Sequence, residues 1–139
     1  MIVLDTDTLT FFFRNHLRVV ERMQTTTEEV TITIVSRIEI LQGRFDSLMK
    51  AADGIALQRG QQRLDEAEQH LAKIPIILPI DAAAAAEFDR LREIKKLKKI
   101  GRGDILIAAI TLAHRAILVT RNVKDFRQVP GLRAENWID

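Results

Sequence analysis

The sequence predicts an α/β protein, a mainly parallel sheet with helices on both faces. Short apolar runs rich in β-branched residues alternate along the chain with longer stretches of helical period. One helical stretch, "DILIAAITLAHRA" (104–116), is apolar nearly all round and must be buried.

The elements follow in order. "MIVLD" (1–5) reads as a buried strand, ended by Thr6 and Asp7. From Thr8 to about Met23, apolar residues at 9, 12, 13, 17, 20 and 23 have the spacing of one helix. "VTITIV" (30–35) is the clearest strand, and from Ser36 the period turns helical, with Ile38, Leu41, Phe45, Leu48 and Met49 on one face. Residues 53–73 form a polar helix stopped by Pro75, and "IILPI" (76–80) is a third strand. Asp81 is placed to cap the helix "AAAAAEFDRLREIKKLKK". After Gly101 and Gly103 comes the buried helix, then a strand at 117–120, a loop "RNVKDF", a turn at Pro130-Gly131 and a short strand near "RAENWI".

Length and composition set bounds. The 139 residues suggest a single domain spanning 1–139, with 47% hydrophobic and 29% charged residues, as in ordinary globular proteins. There is no cysteine, so disulfides and thiolate metal sites are excluded, and a metal would need oxygen ligands or the three histidines. No apolar stretch approaches the roughly 20 residues of a membrane span. The first ten residues carry two acids and no basic segment, unlike a secretory leader, so a cytoplasmic location is expected. A net charge of +2 does not by itself imply nucleic acid.

Ligand sites in parallel sheets form beyond the carboxyl ends of the strands. Asp5 stands there on strand one. Glu39 lies in the first turn after strand two, Asp104 opens the buried helix before strand four, and Asn122 follows strand four, with Asp125 three residues on. If those strands are neighbours, the side chains meet at one edge. Each also has a plainer role. Glu39 completes a capping box with Ser36, Asp104 can act as an N-cap, Asp7 caps the first helix, and Asp125 suits a polar turn. Asp5 has no such evident role. Several acids converging without a cation repel one another, and a hard divalent ion such as Mg²⁺ or Mn²⁺ is the simplest remedy.

His16, His70 and His114 share no metal-ligand spacing and read as surface or packing residues. "KKLKK" (95–99) is either a solvated helix face or, with Arg102 following, part of a basic rim leading to Asp104. In the second reading Lys95, Lys96, Lys99 and Arg102 would bind a polyanion.

With these residues in view, the chain resembles a known family. "VLDTDTL", "TIVSRIEILQGR" and "GRGDILIAAITLAHRAILVTRNVKDFRQVPGLRAENW" look like a PIN-domain ribonuclease, more narrowly the VapC toxins of type II toxin–antitoxin modules. The resemblance implies a three-layer α/β/α PIN-like fold and hydrolysis of RNA phosphodiester bonds, leaving a 5′-phosphate and a 3′-hydroxyl. It aligns Asp5, Glu39 and Asp104 with the family's catalytic, metal-holding acids. Asp5 and Asp104 would hold Mg²⁺, with Mn²⁺ as a substitute, and Glu39 would ligate directly, through water, or orient the attacking water. Asn122 stands where many relatives have a fourth acid, Asp125 is a supporting acid, and Asp7 replaces a commoner asparagine or serine. The implied partners are an RNA substrate, a VapB-like antitoxin that occludes the site, and a second copy of the chain in a homodimer. No membrane is implied.

Two rival readings stand beside it. "LDTDTL" also looks like the D-x-D-x-T opening of haloacid-dehalogenase-like phosphatases, but no second acidic pair follows "GRGD". A degenerate, non-catalytic binding module would fit the asparagine at 122, though not three intact acids.

Overall fold

The computed structural model describes residues 1–139 and contains a five-stranded, all-parallel sheet of order β3-β2-β1-β4-β5. The strands are β1 (Ile2–Leu4), β2 (Val30–Thr33), β3 (Ile77–Leu78), β4 (Ile117–Val119) and β5 (Arg133–Glu135). Seven helices cover the sheet: α1 (Thr6–Phe13), α2 (Leu17–Thr25), α3 (Ile34–Met49), α4 (Gly54–Ala72), α5 (Ala82–Arg92), α6 (Arg102–Ala113) and the one-turn α7 (Val123–Phe126). A 3₁₀ turn at Lys95–Leu97 precedes α6. No helix is long and apolar enough to cross a membrane.

Strand β1 is central and divides the core in two. Val3 faces a cluster with Leu91, Ile107, Ile110 and Phe126, built largely from α5 and α6. Its neighbours Ile2 and Leu4 face the other side, with Leu9, Val19, Leu71 and Trp137. This alternation is the period of two expected of a strand covered on both faces. Each fully buried Leu, Ile or Phe contributes about 2 kcal/mol relative to exposure, so β1 is pinned from both sides.

Several boundaries differ from expectation: the helix expected over 82–99 ends at Arg92, where Ile94 turns extended and Lys95–Leu97 forms a separate 3₁₀ turn. The helix expected from Thr8 to Met23 is two helices. Asn15 takes a left-handed conformation (φ 59°), which ends α1, and His16 then caps α2 through its ring nitrogen, 3.5 Å from the Val19 N–H. The second strand stops at Thr33, whose hydroxyl accepts from the Ser36 N–H at 3.2 Å, so Ile34 and Val35 are already helical. Thr33 rather than Ser36 is therefore the cap of α3. The buried helix begins at Arg102 with Gly101 as its cap, which puts Asp104 inside the first turn rather than at the cap position. Asp81 caps α5 as expected, 2.9 Å from Ala84 N, and Asp53, not singled out from sequence, caps α4 at 2.8 Å from Ala56 N. Part of the loop after β4 winds into α7.

Candidate metal centre at the carboxyl edge of the sheet

The register places Leu4 beside Ile32 on one side and Val119 on the other. The next residues along the three strands are Asp5, Thr33 and Thr120, a polar row on which β1, β2 and β4 end. All three are buried, with Asp5 6% exposed. The carboxylate of Asp5 accepts the Thr8 N–H at 2.8 Å, so Asp5, not Asp7, caps α1. The division expected from sequence, with Asp7 serving the helix and Asp5 free of it, is thus corrected. Asp7 lies exposed in the first turn, where a negative charge meets the positive end of the helix.

Burial raises the Asp5 carboxyl above the ordinary value, hydrogen bonds to Thr120 and Thr8 pull it back, and the charge of Asp7 adds to the rise. The Thr120 oxygen accepts the Asn122 N–H at 3.0 Å, which leaves its one proton for the Asp5 carboxylate.

Glu39 reaches the same edge from α3. The Thr6 hydroxyl donates to Glu39 Oε1 at 2.7 Å and stands 2.9 Å from the Ser36 hydroxyl. On its other side Glu39 lies against the bare backbone of Gly103, where an added Cβ would sit 3.3 Å from Oε2. Glu39 is therefore held between the first turns of α1 and α6, one residue from Asp104.

Asp104 is the focus of the site. Its carboxyl is pushed up to about 6, first by burial and then by the charges of Asp5, Glu39, Asp7 and Asp125. Like charges so placed destabilise one another until a cation joins them. Asn122 donates its amide to Asp125 Oδ2 at 2.9 Å, tying the supporting pair together on α7. The structure thus brings Asp5, Glu39, Asp104, Asp7 and Asp125 around one edge, with Asn122 at its margin.

The donor set is all oxygen. No three acidic or imidazole side chains already stand close enough to share one ion. An all-oxygen donor set is the chemistry of hard ions such as Mg²⁺, which take one or two carboxylates and keep several waters. Asp5 and Asp104 are the carboxylates of this edge whose charge burial disfavours, and either could serve as an oxygen ligand.

Lys95, Lys96 and Lys99 are exposed on and after the 3₁₀ turn. The Arg102 guanidinium sits 5.0 Å from the centre of the Phe88 ring, over an apolar depression that contains none of the acids. Thr6, Thr120 and Gly103 were not identified from sequence. Thr6 lies in the middle of "DTD", and Gly103 separates Arg102 from Asp104, yet only the fold shows that they touch Glu39.

Fold and site together define an α/β protein with a cluster of acids at the carboxyl edge of a parallel sheet. The chain belongs to the PIN domain family, whose model matches residues 2–132. It is similar to Ribonuclease VapC2 of Rickettsia felis, 38% identical over 89 residues that cover 58% of this chain and 66% of that one. It is also similar to the tRNA(fMet)-specific endonuclease VapC of Salmonella typhimurium, 26% identical over 97% of this chain and 96% of that protein. Among solved structures, VapBC2 from Rickettsia felis bound to a DNA fragment from its promoter contains a chain superposing with a TM-score of 0.76. That chain is 26% identical, with 99% of each chain covered.

Proposed function

We propose that this chain is a divalent-metal-dependent endoribonuclease, the toxin of a VapBC-type toxin–antitoxin pair, silenced by a VapB-like antitoxin. The observation that carries the reading is the convergence of Asp5, Glu39 and Asp104 on one edge, with the Asp104 carboxyl raised to about 6 and acids as its charged neighbours. Folding tolerates such a cluster where function needs it. Similarity to proteins named VapC supports the substrate class and the pairing with an antitoxin.

Mg²⁺, or Mn²⁺ in its place, would supply Lewis acidity and a water acidified towards neutrality. Asp5 and Asp104 would hold it. Asp5 is fixed for this by the Thr8 N–H and the Thr120 hydroxyl, so little reorganisation is needed on loading. Glu39, aimed by Thr6 and backed by Gly103, would orient the attacking water and accept its proton. Asp125, held by the Asn122 amide, would add negative charge near Asp104. Hydrolysis would leave a 5′-phosphate and a 3′-hydroxyl. A homodimer and cytoplasmic action complete the reading.

The test is cleavage of an end-labelled structured RNA pool by the purified chain, with Mg²⁺, with Mn²⁺ and with chelator, beside Asp104→Asn. Metal-dependent cutting with 5′-phosphate ends, lost in the variant, is expected. Absence of both cutting and ion binding would make the chain a non-catalytic binding module instead.

A further inference from the structure

A cavity of about 320 Å³ opens beside the carboxylates, between α1, α3 and α4. It begins at Thr6 and Glu39, and Arg14, Arg44, Glu66 and His70 line the remainder. A second hollow shares Arg44 and continues past Arg59 and Arg63 on α4. None of the chain's ion pairs includes these four arginines, although Glu39 and Glu66 line the first hollow with them and Asp53 the second. Arg44 is the most constrained. Its side chain is partly buried, and its Nε is closed off from solvent with no acceptor. A guanidinium desolvated without a carboxylate is costly, and its planar fork of donors matches a phosphate.

The acids raise a complementary problem. A polyanion that places one phosphate among five carboxylates is repelled along its neighbouring phosphates unless cations hold them. The arginine-lined hollow reaches Glu39, whereas the depression under Arg102 contains none of the acids. Its apolar lining is only Phe13, Ile40 and Ala67, which gives a peptide little to dock on.

We propose that Arg44, with Arg14 in the same cavity, binds a phosphate of single-stranded RNA next to the one held at the Asp5–Glu39–Asp104 cluster, and that Arg63 and Arg59 continue the track. This subsite rests on the ribonuclease reading and determines on which side of the acids the strand runs.

The experiment measures binding of a labelled single-stranded oligoribonucleotide by fluorescence anisotropy, in chelator, over a series of KCl concentrations. It compares the full chain with Arg14→Gln, Arg44→Gln, Arg44→Lys and the double variant Lys95→Gln/Lys96→Gln. Each lost phosphate contact should lower the log–log salt slope by about 0.7. The two glutamine variants are expected to show that drop and to cut RNA with a raised KM. Arg44→Lys should keep the slope but bind more weakly, and the lysine double variant should behave as the parent. Arg14 is exposed, so its variant tests the idea even if Arg44→Gln folds poorly. Unchanged slopes in both arginine variants, with the parent cutting and binding RNA, would overturn the subsite alone. Slopes left intact while capture of the antitoxin is lost would also overturn it, and would assign the cavity to an acidic peptide. A parent chain that neither cuts nor binds RNA would remove the ribonuclease reading and the subsite together.

Discussion

Replacing Asp104 with Asn should stabilise the metal-free protein while abolishing its chemistry. The carboxyl stands at about 6 against an ordinary 3.8, a rise of about 2 units. At about 1.4 kcal/mol per unit, this bounds the cost of its charge near 3 kcal/mol. The group is half-buried, so solvent screening reduces the figure to about 1.5 kcal/mol. Its charge also lies in the first turn of α6, where the helix dipole favours an anion by about 0.5 kcal/mol, and Asn forfeits that. The net gain is about 1 kcal/mol, or about 3–4 °C in Tm for a chain of this size.

The pH dependence follows from linkage. A carboxyl whose folded pKa lies above its unfolded one destabilises the fold fully at pH above about 6. The penalty shrinks as the pH falls through that value and is gone below about 3.8. Differential scanning calorimetry in chelator at pH 7.5 and at pH 4 should therefore find the variant more stable at the higher pH and the two proteins nearly equal at the lower. Added Mg²⁺ should raise the Tm of the parent more than that of the variant. A variant no more stable than the parent at pH 7.5, or an increment that ignores pH, would refute the electrostatic account of the cluster.

Other perturbations separate roles that share a residue. Asp5→Asn keeps a good N-cap for α1 and should lose cleavage with little change in Tm. Asp5→Ala should lose cleavage and about 1 kcal/mol besides, measured by urea denaturation. Gly103→Ala places a Cβ 3.3 Å from Glu39 Oε2. Because alanine suits a helix better than glycine, Tm should hold or rise while kcat falls, and a fall in both would point to a backbone clash instead. Asn122→Asp sets a like charge against Asp125 in place of the 2.9 Å hydrogen bond, so metal-free stability should drop. Isothermal titration with Mn²⁺ should then show tighter or additional binding, and unchanged titrations would place position 122 outside the ion's reach.

The sheet and most helices were legible in the sequence because they rest on local period and local caps. Asp81 caps α5 as its position indicates. The same local rules misassigned the caps at Asp5, Asp7 and Ser36. An acid or hydroxyl near a helix start satisfies the pattern at several positions, and only the backbone geometry decides which side chain reaches the orphan N–H. The split between α1 and α2 turns on a single left-handed residue, Asn15, inside an otherwise unbroken apolar period.

What the sequence by itself determined is the chemical inventory: an all-oxygen set of acids without cysteine, one acid at the end of an apolar strand, and a parallel α/β order that sends such acids to one edge. Tertiary structure alone decided their meeting. Asp5, Glu39 and Asp104 come together because β1 pairs with both β2 and β4, strands separated by over eighty residues of chain. It also decided the supports: Thr6 on Glu39, Thr120 on Asp5, and Gly103 leaving room for a carboxylate. The arginine track is of the same kind, since α1, α3 and α4 each supply part of one cavity wall. Strand order and register are long-range quantities set by burial on both faces of β1, and no short window of sequence contains them.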